Sequence, residues 1–196
     1  MTERAPESAR GRVEVVELSP TQQAFARRVA ESKATAPHVY FAQALPTAPA
    51  LARVVHAAAR ALQETPLLNG TYRDGRVELH SRVNVAFAVE IDGTLAFPVV
   101  RDADQKDADA ITAEIEALSE EARAGSLSSP ALAGATFTVV DVSATGVTAF
   151  TPVIARGQAA TLGVGAEGLT LACDNRIVQG SEGAAFLSGV ASTLHG

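Results

Sequence analysis

The sequence predicts a single α/β (α+β) domain: a mixed, open β-sheet with helices packed on it. Three observations carry this. Segments of β-type alternation and segments of helical spacing interleave without strict strand–helix–strand order, which favours a mixed sheet over a doubly wound parallel one. The chain has 196 residues, the size of one domain with a sizeable core. Its composition, 47% hydrophobic and 19% charged, is that of a globular chain and not of a disordered one.

Residues 1–10 are polar and expected to be flexible, leaving 11–196 as the domain. Residues 12–18 carry Val13, Val15 and Val16 and read as a short strand. Ser19-Pro20 opens a helix, with Ser19 as N-cap and Pro20 in the first position. Phe25 and Val29 lie one turn apart and give it an apolar face; it runs out near Ser32-Lys33. Residues 37–44 read as a strand. Pro46 and Pro49 make a tight connection to an Ala-rich helix, 50–63, with Leu51, Val54, Val55, Ala58 and Leu62 at helical spacing. Asp74-Gly75 marks the turn of a hairpin over 71–79. Residues 83–91 alternate as one core strand, and Asp92-Gly93 turns it into 95–100. Asp107 opens a helix with Ile111, Ile115, Leu118 and Ala122 on one face, ended by Gly125. A β-branched strand over 136–142 runs into the loop 143–146, and 158–164 reads as another strand. The turn 165–168 then leads to a short apolar strand ending at Cys173 and a helix carrying Ala184, Phe186 and Leu187.

Composition also excludes functions. The net charge is −6 with no basic cluster, which argues against nucleic acid or an anionic membrane as a main partner. The lone Cys173 leaves no internal disulfide framework and suits a reducing cytoplasm. No apolar signal core or membrane-length run is present. Metal-ligand spacing, a phosphate loop and Ser-His-Asp order are all missing.

The most informative stretch is Leu171-Ala172-Cys173-Asp174-Asn175-Arg176-Ile177-Val178-Gln179-Gly180. An apolar strand meets a charged turn just before a helix, so polar groups stand at the tip of a rigid support. It resembles the active-site signature of the dihydrolipoyl acyltransferase catalytic domain, the core of 2-oxo-acid dehydrogenase complexes, whose fold chloramphenicol acetyltransferase shares. The family pattern is Asp-His-Arg, two apolar residues, then Asp-Gly. Asp174, Arg176, Ile177, Val178 and Gly180 fit it; Asn175 stands at the histidine and Gln179 at the aspartate. Thr35-Ala36-Pro37-His38 resembles the family's turn into the strand beside the substrate channel. The stretches 98–104 and 158–160 also match, and the likeness runs over roughly residues 20–187. Relative to the family, about one helix and its loops are missing after residue 44.

The resemblance implies a chloramphenicol acetyltransferase-like fold, a homotrimer with channels at its interfaces, and acyl transfer from a thioester. The co-substrate would be acyl-CoA or an acyl-carrier thioester, with no permanently bound cofactor. The acceptor would be a small-molecule hydroxyl, as in stand-alone relatives of secondary metabolism, and a carrier protein a further partner. Neither a lipoyl nor a subunit-binding module is expected in this length. The alternative is a catalytically dead or repurposed homologue. In the family a histidine is the general base and a serine stabilises the oxyanion. Asn175 accepts no proton at useful pH, and Val140 falls at the serine's position. Candidate catalytic residues are therefore Asn175, Gln179, His38 as substitute base or structural strand residue, and Asp141 and Ser143, each also readable as a turn former. Tyr40, Thr145, Asp174 and Arg176 are candidate substrate-binding residues, and no metal is expected. Cys173 reads as a core thiol or, less simply, a nucleophile; His56 and His80 read as surface residues, and His195 as part of a frayed tail. With an aspartate lost at 179, Arg27 or Arg28 would lose a partner or find Glu182 or Asp174.

Overall fold

The computed structural model describes Ala9 and residues 11–91 and 93–195. The expectation of flexibility over residues 1–10 lies outside them, Ala9 apart. Local chemistry starts the elements. The Ser19 hydroxyl accepts the Gln22 N–H at 3.2 Å, and the Gln22 side chain accepts the Ser19 N–H at 2.9 Å. This reciprocal cap, with Pro20 next, opens α1 (Pro20–Thr35). An edge strand, β1 (His38–Ala44), follows. Helix α2 (Leu51–Glu64) has no side-chain cap; its buried face, from Ala52 and Val54 to Leu62, holds it in place. Asp74 and Gly75 both take positive φ, 46° and 79°, the geometry of a two-residue hairpin turn between β2 (Gly70–Arg73) and β3 (Arg76–Leu79). Four short strands come next: β4 (Val85–Phe87), β5 (Val89–Ile91), β6 (Thr94–Ala96) and β7 (Val99–Val100). The Asp107 carboxylate accepts the Ala110 N–H at 2.8 Å and opens α3 (Ala108–Arg123). The chain closes with β8 (Phe137–Asp141), β9 (Ala160–Gly165), β10 (Gly168–Asp174) and α4 (Gly180–His195).

Six strands form one mixed sheet in the order β1-β10-β9-β8-β4-β7, parallel only between β9 and β8 and between β8 and β4. Register gives it two unlike faces. The row Phe41–Leu171–Leu162–Val139–Phe87 points at the helices, where the Phe137 and Phe186 rings lie 5.4 Å apart and the Phe41 ring fills the space beside Gly183. The row Tyr40–Ala172–Thr161–Thr138–Ala86 makes the other face, which is small and polar. The segment 147–158 straps across that face. Gly163 and Gly165 admit it: a Cβ on Gly163 would stand 2.9 Å from the Phe150 ring, and one on Gly165 2.1 Å from the Thr148 carbonyl. The strap is pinned by the Ser32 hydroxyl donating to the Ile154 carbonyl (2.7 Å) and by the Ala155 N–H donating to the Thr161 hydroxyl (3.2 Å).

Several expectations need correction. Residues 12–18 form no strand; Val13, Val15 and Val16 are 59%, 73% and 78% exposed, with no ladder to them among the described residues. Helix α1 continues to Thr35, and Ser32 is its buried residue; Phe25 is 41% exposed and stacks on Phe97 outside the main core, and Val29 is half-buried. Residues 83–91 are two strands in different sheets, because the Phe87 and Ala88 N–H groups bond to Pro98 and Val139 and redirect the chain. Residues 95–100 divide likewise around Pro98, which has no N–H to give a ladder. His195 belongs to the last turn of α4, its Nδ1 2.6 Å from the Ala191 carbonyl, and not to a frayed tail. His56 is half-buried.

Candidate active site

The motif strand is anchored at its base. Cys173 is fully buried on the helix-facing side of β10; desolvation, then the neighbouring Asp174 charge, push its thiol up to about 12. It is a core thiol with no nucleophilic character at neutral pH. Asp174, 2% exposed, turns to the other face. Its Oδ1 accepts the Arg176 backbone N–H at 3.0 Å and Nε–H at 2.9 Å, and its Oδ2 accepts the Arg176 Nη2 at 2.5 Å. The hydrogen bonds to Asp174 raise the Arg176 pKa further. The guanidinium carbon lies 4.0 Å from the centroid of the Tyr72 ring, so an aromatic face covers the cation. The Asp174 carbonyl accepts the N–H groups of Ile177 and Val178, and the Asn175 N–H reaches back to the Pro37 carbonyl at 2.9 Å. This turn is locked while the side chains of Asn175 and Gln179 stand exposed, hydrogen-bonded to nothing among the described residues. Glu182 caps α4 by accepting the Gln179 N–H (3.2 Å) and the Ser181 hydroxyl (3.1 Å). Glu182 and Asp174 are thus engaged elsewhere, and neither pairs with Arg27 or Arg28.

His38 sits opposite Asp174 in the β1–β10 pairing. Its Nδ1–H donates to the Ala36 carbonyl at 2.8 Å, and its Nε2 accepts the Ile154 N–H at 3.1 Å. Burial lowers its pKa from the ordinary 6.5, with the Ala36 bond opposing. Both ring nitrogens are committed to backbone, and the ring holds the strap. To act as a base, His38 would have to release Ile154. Tyr40, two residues on, is exposed and close to both His38 and Lys33: the ring centroids of His38 and Tyr40 are 6.0 Å apart, and the Lys33 ammonium donates to the phenol oxygen.

The remaining candidates stand at the other end of the sheet. Cys173 pairs with Ala160, whereas Asp141 pairs with Val164, so roughly 13 Å of strand separates the two groups. The Asp141 carboxylate accepts the Ser143 N–H at 2.8 Å, and the Thr145 hydroxyl donates to the Val142 carbonyl at 2.7 Å. These are turn-forming bonds. Val140 is half-buried beside Gly163. The structure therefore gathers His38, Tyr40, Asp174, Asn175, Arg176 and Gln179, and leaves Asp141, Ser143 and Thr145 apart. Sequence reading missed Tyr72 and Lys33; no spacing signal brings 72 to 176, because the hairpin reaches the motif only through the fold. Among the described residues no group of three His, Cys, Asp or Glu could hold a metal ion, and no helix is long and apolar enough to cross a membrane.

A locked Asp-x-Arg turn at the tip of a mixed sheet is the frame of an acyltransferase-type domain. Residues 48–196 match the family model of the 2-oxoacid dehydrogenases acyltransferase (catalytic domain), and the chain belongs to that family. It is 30% identical over 152 residues to the dihydrolipoyllysine-residue acetyltransferase component of the pyruvate dehydrogenase complex of Rickettsia bellii, over 69% of this chain and 36% of that protein. The chain thus spans about a third of the length of the curated relatives it matches. Among solved structures, the dihydrolipoamide acetyltransferase of Azotobacter vinelandii superposes with a TM-score of 0.87 at 25% identity, over 95% of this chain and 93% of that one. A serine, a histidine and an asparagine were investigated for their role in that enzyme's catalytic mechanism. The cubic core of a pyruvate dehydrogenase multienzyme complex superposes equally well, with a TM-score of 0.87 at 25% identity over the same shares, 95% and 93%.

Proposed function

We propose that the protein transfers an acyl group from a thioester, on coenzyme A or a carrier protein, to a small-molecule hydroxyl, at a site shared between copies of this chain in a homotrimer. The observation that carries this is the locked turn: an ion pair between the buried Asp174 carboxylate and the part-exposed Arg176 guanidinium fixes both residues while Asn175 and Gln179 are presented to solvent. Preorganised polar groups on a rigid support are what acyl transfer requires. The roughly 13 Å between this turn and the 143–145 loop supports a shared site, since a neighbouring copy could bring its own loop end to the turn. The exposed segment 13–18 and the edge of β1, which no described strand covers, supply surface for such association. The cubic core in which one similar chain was solved supports self-association here.

In the reaction the acceptor oxygen attacks the thioester carbonyl, its proton leaves, the tetrahedral oxyanion collapses, and the thiolate departs and is protonated. Asn175 reads as the residue standing where the family's histidine would. Its amide can orient the hydroxyl through its oxygen or donate to the oxyanion through its nitrogen. It cannot take the proton, so the rate is reduced by about 10²–10⁴ relative to a base-assisted reaction. Secondary metabolism in the cytoplasm is the setting we propose.

His38 favours a second reading, a homologue repurposed for binding, because the imidazole nearest the turn has no free nitrogen. Incubation with acetyl-CoA and a panel of hydroxyl and thiol acceptors separates the two. Slow thioester loss in the wild type, accelerated in the double variant Asn175→His with Gln179→Asp, supports transfer. No loss above background in either protein leaves the binding reading.

A further inference from the structure

One cleft carries chemistry that acyl transfer does not use. It encloses about 230 Å³ between the end of α1, the hairpin strand β2, the strap turn at 155–158 and the inner side of the motif turn. Three arginines from three segments line it: Arg73, Arg156 and Arg176. Arg176 is taken up by Asp174 and by the Tyr72 ring. The other two are not. The carboxylates paired with them, Glu78 with Arg73 and Glu31 with Arg156, stand off at 3.5 Å, and neither guanidinium makes a hydrogen bond among the described residues. The strap turn is closed by the Gln158 N–H donating to the Ala155 carbonyl at 3.0 Å, with Gly157 at φ 77°. The N–H groups of its two central residues, Arg156 and Gly157, also donate to nothing among the described residues. The Thr71 hydroxyl donates to the Gly157 carbonyl at 2.5 Å, tying the hairpin that carries Arg73 to the turn that carries Arg156. The charged lining is three arginines against Glu31 and Asp174, 3 − 2 = +1, within a chain of net charge −6.

We propose that this cleft binds an oxyanion, the phosphate or carboxylate group of a small-molecule ligand, between Arg73 and Arg156. Planar guanidinium forks match a two-oxygen acceptor, and the unbonded N–H groups of the lining turn residues are further donors within the same turn. The tie between hairpin and strap holds the backbones that carry the two arginines on adjoining walls, so only their side chains need ordering when a ligand arrives. Glu31 is the one lining carboxylate not locked to Arg176; an arriving anion displaces it from Arg156 across a contact already loose and half in solvent. Neither Asn175 nor Gln179 lines the cleft, so the proposal does not rest on the acyl-transfer reading.

Isothermal titration with inorganic phosphate in one arm and succinate in the other tests it. The proteins are the wild type, the double variant Arg73→Gln with Arg156→Gln, and Arg27→Gln as an exposed arginine away from the cleft. We expect saturable binding that weakens by about tenfold or more in the double variant and is unchanged in Arg27→Gln. Tighter phosphate identifies a phosphate-bearing ligand, and tighter succinate a carboxylate-bearing one. Absence of saturable binding in both arms overturns the proposal, as does equal affinity in the wild type and the double variant. Equal denaturation midpoints in the three proteins show that the comparison is between folded chains.

Discussion

The Asp174–Arg176 pair is asymmetric: the carboxylate side chain is 3% exposed and the guanidinium 33%. Removing the arginine strands a buried charge, whereas removing the carboxylate leaves a cation that water can reach. Arg176→Met should therefore cost about 3 kcal/mol, against about 1 kcal/mol for Asp174→Asn, which keeps an acceptor for the Arg176 backbone N–H. Chemical denaturation midpoints give the order, and an Asp174→Asn as damaging as Arg176→Met would refute it. His38 makes a second prediction. Its folded pKa is depressed below 6.5, so the unfolded chain binds the proton more readily. Its contribution to stability is then fully present above about pH 6.5 and is lost as pH falls from there through the folded pKa. Denaturation midpoints taken from pH 7.5 down to 5.5 should show this loss, and His38→Gln should flatten it (about one His titration in that window).

Two close approaches set the tolerance of the elements. A Cβ on Gly183 would lie 2.4 Å from the Phe41 ring, where α4 meets β1. Gly183→Ala should cost about 1–3 kcal/mol, and Phe41→Leu should recover part of it, since the obstacle is a side chain. On Gly165 the obstacle is the Thr148 carbonyl itself, at 2.1 Å. Gly165→Ala should be the more damaging, with no side-chain rescue; thermal midpoints of the three variants decide. The caps of α1 and α3 and the Asp74-Gly75 turn were legible in sequence because their physics is local. The break between β4 and β5 was not. Alternation continues through Ala88, and the Pro98 and Val139 carbonyls, both distant in sequence, divert the chain there. Residues 12–18 mislead for the same reason in reverse, a strand pattern with no partner strand among the described residues.

For the whole molecule, the motif turn was legible and the surroundings that give it meaning were not. Asp174 and Arg176 stand two apart in sequence and find each other locally; Tyr72 and Glu31 reach the same place only through the hairpin and the first helix. Asp141, Ser143 and Thr145 are plausible partners by composition, yet strand direction sends them to the far end of the sheet. If a neighbouring copy completes the site, light scattering should give a trimer mass, and Val13→Glu with Val15→Glu should lower it. A monomer mass independent of concentration would sink the shared site. Finally, the single thiol of Cys173 lies shut in the core with its ionisation pushed up to about 12. An alkylating reagent can therefore reach it only during a cooperative opening of the β10 core. The labelling rate of the unmodified protein is then a stopwatch on that opening, one site and one phase, with no engineered reporter. It should slow in parallel with every substitution or ligand that steadies the fold, which makes it a direct readout for the variants above.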